Sequence, residues 1–451
     1  MSPLSRAGGF SLVEMMVAVA IGVILMIALT DLLVDVKGTF VREDQFARLQ
    51  EGARISILLA SNHMRSTRSL GCRSLAMAEF EGSFNVKACK LIDTPSDNTC
   101  KHAGWQDDAH FLSMDRALGY DNSADLSTAG NLSDLPADGA ANVADRWLRG
   151  DILVTWGVDG EGAAVTSRLK QDVSDDGGLL GRGRFRIAAP VDGLAVGKLA
   201  LITDCVGADL FEISGPRRLR AGGSYAIAHA VNAYDDEETG ASVNASDAFD
   251  RAYNWADDTA GRQIAQTVHR ASVYPFSYNV YYICCVDTDQ RRLQTGKAVT
   301  QCSDDDSDLD RYRPSLCAWS LEVGRSEVLI NDVADMRVTY TGDLNDDGTL
   351  DFFADDISPV PTAAWVTARN GGAGAWTNVR SAAVELLIAS GQDHVVTTSK
   401  VPADDAWPPS SGNGTIAIDT LGKGMPADTR LYQRFVINVA MRASTPWYID
   451  P

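Results

Sequence analysis

Two hydrophobic rhythms divide this chain. From Phe10 to Thr30 the sequence FSLVEMMVAVAIGVILMIALT is nearly all apolar, and Glu14 is its only charged residue. About 21 residues in a helix rise roughly 30 Å, the thickness of a bilayer's hydrocarbon core. The pattern then changes. Leu33, Val36, Phe40, Val41, Leu49, Ile55, Leu58 and Leu59 recur at mixed three- and four-residue spacing among Lys, Arg, Asp and Glu. This predicts that the helix continues as an amphipathic segment over 31–70. Gly38 and Gly52 weaken it locally without ending it, and its natural stopping zone is Ser66 to Gly71.

Beyond Cys72 the helical period fades into short apolar runs between turn-rich segments. Asp151 to Trp156, Leu199 to Thr203 and Leu210 to Ile213 read as strands. Ser272 to Val286, rich in Tyr, Val and Ile, reads as one long strand or a hairpin. Asp335 to Tyr340, Ala382 to Ala389 and Phe435 to Met441 complete a β-rich second half, the last two assigned by their Val and Ile content. Asp121 to Asp145, Tyr234 to Gly261 and Val401 to Asp428 are poor in large apolar residues and read as exposed loops. The expected fold is α+β: a long N-terminal helix followed by a β-rich globular head with large loop insertions. No internal repeat is visible, and the head divides into an insertion-rich part over 71–265 and a β-rich part over 266–451.

Charge and cysteine content narrow the function classes. The chain has 451 residues, with 40 Lys and Arg against 60 Asp and Glu, for a net charge of −20. That field repels phosphate backbones and argues against a nucleic-acid partner. It leaves cations, basic protein surfaces and a merely solubilising role open. Eight cysteines, none in a CxxC pair, disfavour a zinc ribbon or thioredoxin-like motif. In an oxidising compartment they would form disulfides. Cys302 and Cys317, flanking one acidic stretch, are the expected pair, and the adjacent Cys284 and Cys285 are expected to take different partners.

The sharpest motif lies at the start. MSPLSRAGG, residues 1–9, is a short polar leader, and its Gly8-Gly9 pair precedes the apolar run. A secretory signal places its apolar region before the cleavage site and loses it; here cleavage would leave the membrane helix on the mature chain. Gly9-Phe10-Ser11-Leu12-Val13-Glu14 resembles the prepilin signature of type IV pilins and type II secretion pseudopilins. The resemblance implies that a prepilin peptidase cuts between Gly9 and Phe10 and methylates the new Phe10 amine. It implies for Glu14 the role of the family's assembly carboxylate. The physics agrees, because a carboxylate in an apolar membrane segment is costly and needs a partner. A neighbouring subunit's N-terminal amine, or the chain's own, would serve.

The second half is similar to the PilW family of minor pilins. The similarity is carried by Tyr281-Tyr282, Glu327-Val328-Leu329, Val333 to Tyr340 with the Asp-rich turn after it, Trp376 to Ala382, and Arg434 to Arg442. It covers about the first 65 and the last 180 residues. It implies a pilin-like fold in which residues 10–30 are the transmembrane half of the helix and 31–70 the half under the head. It also implies a non-enzymatic minor pilin that primes assembly at or near the pilus tip, in filaments that serve adhesion and twitching. Its partners would be other minor and major pilins, the prepilin peptidase, the inner membrane and the pilus assembly platform. Before assembly the chain would be a single-pass inner-membrane protein with a periplasmic head. A J-type minor pseudopilin of type II secretion, or a calcium-dependent adhesive tip module, are the competing readings.

Asp343, Asn345, Asp347, Thr349 and Asp351, with Gly348, follow the first nine positions of an EF-hand-type loop. Ala354 stands where the bidentate Glu belongs, so the motif describes a Ca2+-stapled turn between strands, and a solvated Asp/Asn/Gly turn is the open alternative. Asp304 to Asp310 lacks the Gly and reads as a solvated acidic loop. No cofactor is required by any motif. HExxH, GxSxG and Walker sequences are absent, and His63, His102, His110, His229, His269 and His394 show no ligand or triad spacing.

Overall fold

The apolar run and the stretch after it form one helix, α1 (Leu12–Ser66). Its start is fixed by a reciprocal cap. Ser11 Oγ accepts from the Val13 N–H at 3.2 Å, and the Glu14 carboxylate accepts the Ser11 N–H at 3.0 Å. The acidic group also sits against the positive end of the helix dipole. At the far end hydroxyls take the last carbonyls: Ser66 Oγ and Thr67 Oγ1 donate to His63 O at 3.0 and 2.9 Å. The helix thus stops inside the zone read from the sequence, and Gly38 and Gly52 stay within it. The computed structural model describes residues 11–67, 69–71, 84–89, 119–120, 137–138, 141–165, 183–204, 207–219, 225–231, 242–246, 249, 271–289, 291–295, 302, 312–342, 379–389 and 432–441.

Of the large apolar residues that set the period, only Leu49 among the described side chains is buried against the head. Every residue from Leu12 to Phe40 is exposed. Burial begins at Gln45 and follows a four-residue step through Leu49 and Ala53, then Ser61 and Met64. Leu33, Val36, Phe40, Ile55 and Leu58 all face away from the chain's own head. Small and polar residues let the helix lie close to the sheet: a Cβ on Gly52 would stand only 3.8 Å from Ile330 Cγ2.

Among the described residues the remaining elements are strands and one helical turn. They are β1 (Phe84–Val86), β2 (Gly119–Tyr120), β3 (Ala137–Asp138), β4 (Ala141–Asn142), the helical turn α2 (Val143–Arg146), β5 (Trp147–Val158), β6 (Ala163–Ala164) and β7 (Arg184–Ile187). Then come β8 (Leu199–Thr203), β9 (Ala208–Glu212), β10 (Gly215–Leu219), β11 (Tyr225–Ala228), β12 (Ser272–Asp287) and β13 (Arg292–Leu293). Last are β14 (Tyr312–Ser320), β15 (Arg325–Asn331), β16 (Val333–Gly342), β17 (Val379–Ala389) and β18 (Tyr432–Ala440).

β12 organises the molecule. It is one strand of 16 residues, buried without alternation from Tyr278 to Asp287, as expected where both faces are covered. It pairs antiparallel with β8 and β5 from the first half and with β14 from the second, so strands from both sides of residue 265 share one ten-stranded sheet. A three-stranded antiparallel sheet, β16-β17-β18, lies beside it, and α1 packs across β5, β17 and β18. This main core holds Leu49, Met64, Trp156, Tyr281, Trp319 and Tyr340. A second core lies between the opposite face of β8 and β9 and the small sheet β10-β11-β7, and includes Phe185, Ile202, Phe211 and Ile227.

Three expectations need correction. Cys302 and Cys317 do not pair with each other: Cys285 bonds Cys302 and Cys284 bonds Cys317, each at a Cα–Cα distance of 5.9 Å. Neighbouring strand positions point to opposite faces, so each cysteine of the 284–285 pair is staked on a different side of β12. The segment Asp121 to Asp145 is not all exposed loop, because β3, β4 and α2 fall in it and Val143 is fully buried. Within Tyr234 to Gly261, Val243, Asn244 and Phe249 are buried. Asn244 works there as a surrogate strand: its amide accepts from Glu212 N and donates to Glu212 O, both at 2.8 Å, and donates to Ala230 O at 3.0 Å. Averaged composition hides such single anchoring residues. Val401 to Asp428 lies outside the described residues.

Candidate functional site

The N-terminal arm is a bare apolar rod. Leu12 to Phe40 makes no buried contact with the head, and the helix is long and apolar enough to cross a membrane. On one side Gly22 opens a shallow groove bordered by Val19, Val23 and Met26, with Thr30 and Asp31 at its end. Gly9 and Phe10 lie outside the described residues. Glu14 lies one turn into the helix, exposed, with one carboxylate oxygen engaged by the Ser11 N–H. A carboxylate has further acceptor sites, so this cap leaves Glu14 able to take a cationic partner.

The other end of α1 is sewn to the head at one point. The Ser66 carbonyl lies directly over Gly157, where any Cβ would collide with it. The chain leaving the helix then joins the sheet, the Val158 N–H donating to Ser69 O at 3.0 Å. One turn earlier, His63 bridges helix and sheet. Its Nδ1 meets the Tyr281 hydroxyl and lies 3.4 Å from Asn279 Nδ2, while Nε2 is 3.9 Å from the Asp159 carboxylate. The hydroxyl and the amide are both donors aimed at Nδ1, which makes Nδ1 the unprotonated nitrogen and turns Nε2–H toward Asp159. Burial lowers the His63 pKa below its usual value, with Asp159 opposing it, and burial next to Asp159 raises that of Tyr281. The phenol therefore stays a donor. Tyr281 is 2% exposed, so no substrate reaches it. The phenol, imidazole and carboxylate form a structural latch rather than a catalytic relay.

A second polar cluster ties β5 to the three-stranded sheet. Asp151 Oδ2 accepts from the Val338 N–H at 2.8 Å, and Asp335 Oδ1 from the Met336 N–H at 2.9 Å. Arg337 Nε lies 4.0 Å from Asp335, and Arg434 donates to Glu385 at 2.6 Å. Burial lowers the Arg337 pKa, while Asp335, Asp151 and Glu385 hold it charged. Gly150 leaves room for the junction, since a Cβ there would stand 2.5 Å from Asp335 Oδ1.

Asp343, Asn345, Asp347, Thr349 and Asp351 lie outside the described residues, among which no group of three or more His, Cys, Asp or Glu could hold a metal. Sequence reasoning passed over the His63 latch. Its members are scattered along the chain, and the one available signal was a histidine in the last turn of a helix that must dock.

Residues 4–30 match the family model of the prokaryotic N-terminal methylation motif. No curated protein matches the chain. Among solved structures, a type IV-like pilin from Thermus thermophilus aligns at 14% identity over 38% of this chain and 79% of that one, with a TM-score of 0.16. The chain thus carries a prepilin-type methylation motif on a long apolar helix, followed by a strand-rich globular region.

Proposed function

We propose that the protein is a minor pilin of a type IV pilus, of the PilW kind, which primes assembly and sits at or near the tip. The methylation motif over residues 4–30, which runs into a helix that stays bare from Leu12 to Phe40, carries this reading. Such an arm is a poor end state in water, because its apolar surface calls first for lipid and then for other helices. Cleavage after Gly9 would expose the Phe10 amine, four residues before Glu14, and charge pairing between that amine and Glu14 of a neighbour would set subunit register. The −20 charge fits protein partners rather than nucleic acid.

The test is an in-frame deletion, scored for sheared surface pili and for secreted enzyme activity. Lost or sharply reduced pili with normal secretion is the expected outcome. Normal pili with lost secretion would reassign the chain to the pseudopilins of type II secretion, and no change in either would sink the assembly role. Ca2+ binding by Asp343, Asn345, Asp347, Thr349 and Asp351 remains part of the proposal. It is checked by the thermal shift of the purified chain with and without the ion.

A further inference from the structure

The second core encloses one imidazole among its phenylalanines. His229, directly after β11, is 5% exposed. It stacks on Phe249 at 4.2 Å and 25°, with Phe185 at 5.6 Å and Phe211 at 5.7 Å. The three phenylalanines also touch one another, at 5.5 to 6.2 Å between centroids. The backbone holds the ring in this cage: the His229 N–H donates to Gly183 O at 2.6 Å. Gly183, at a φ of +84°, comes so close that a Cβ would stand 3.0 Å from Ala230.

Among the described residues no charged group acts on the His229 ring. On β7, Arg184 and Arg186 alternate with the buried Phe185 and Ile187. On β9, Glu212 lies on the opposite side from Phe211, and Asp209 shares its side two residues away. Asp204 is occupied at the β8–β9 turn, accepting from the Gly207 N–H at 3.1 Å. β11 offers only the half-buried Tyr225, and residues 242–246 carry no charge. None of these groups supports an imidazolium, and burial drives the His229 pKa down to about 3.

We propose that this lobe is an acid-opened element of the head, with His229 as the group that opens it and the phenylalanine cluster as the surface that opening exposes. An imidazolium here gains cation–π attraction from the Phe249 face, but it has lost its hydration without gaining a counter-charge from the described residues. Once the lobe opens, water solvates it. The proton therefore binds the open form in preference. The closed lobe is fully stable above about pH 6.5, the ordinary value for imidazole. It loses stability tenfold per pH unit as pH falls, levelling off near the folded value. At about pH 4.5 the closing equilibrium is weakened about a hundredfold. This device is independent of the pilus reading and holds whichever assembly the chain joins.

The test is hydrogen exchange on the full chain in detergent micelles at about pH 7.5 and pH 4.5, corrected for intrinsic exchange rates. Amides of β7, β9 and β11 should lose protection by up to about a hundredfold at the lower pH, while β16, β17 and β18 change less than about threefold. The variant His229→Phe, which keeps the aromatic stack, should remove the loss. His229→Leu serves as a second variant in case Phe packs badly. Unchanged protection in the wild-type lobe would overturn the proposal. So would a loss that persists in both variants, because groups other than His229 would then be carrying it.

Discussion

A methyl group is the smallest change that probes how α1 is fastened. At Gly157 it would strike the Ser66 carbonyl, whereas at Gly160, at a φ of +76°, it would meet nothing within 4 Å. Gly157→Ala should therefore cost about 2–4 kcal/mol, since backbone must move, and Gly160→Ala about 1 kcal/mol, for its left-handed backbone alone. Thermal melting of the two variants in parallel checks the difference, and equal losses would mean that the helix end is not tightly docked. Legibility at this scale depends on how local the signal is. Glu14 stands out in the sequence because its neighbours are apolar. His63 does not, because its partner Tyr281 is 218 residues away and nothing near either residue announces the contact.

The helix shows how far a period can be trusted. Its existence, its continuity across two glycines and its end were all readable, but its docked face was not. Ile55 and Leu58 are exposed while Gln45, Ala53 and Ser61 are covered, so the apolar period alone does not mark the face that meets the head. Sheet contact demands closeness, which small residues supply, and the sequence cannot show which apolar residues are kept for other surfaces. The two faces are separable by experiment. Leu58→Asp should leave the melting of the isolated chain within about 0.5 kcal/mol of wild type while lowering its recovery in sheared pili. Met64→Asp should unfold the helix–head junction outright, because it buries an unpaired charge. If Leu58→Asp were assembled normally, the exposed stripe would have no role in contact with other subunits. β12 was legible for the opposite reason: a run of Tyr, Val, Ile and Cys with no polar alternation has few homes other than the middle of a sheet.

In the whole molecule, the strand that joins the two halves also carries both described cross-links. Reducing or removing Cys284–Cys317 by a double Ser substitution should lower stability by about 2–4 kcal/mol. Because β5, β8 and β14 all pair with β12, the loss should appear as one cooperative shift rather than as melting of the second half alone. Calorimetry under non-reducing conditions distinguishes the two outcomes. The connectivity itself could not be read from the sequence, since spacing favoured the flanking pair 302 and 317 while the register of β12 on β14 brings Cys284 and Cys317 together. The second core was equally hidden, because Asn244 and Phe249 anchor it from a stretch whose composition is that of a loop. The bare arm sets one more property, which is clearance. Leu12 to Phe40 spans about 43 Å at 1.5 Å per residue, and a hydrocarbon core takes about 30 Å of that. Roughly 13 Å remain, about the depth of a headgroup layer and a few water molecules. In a bilayer the arm is thus a stilt that lifts a chain of net charge −20 just clear of an anionic lipid surface.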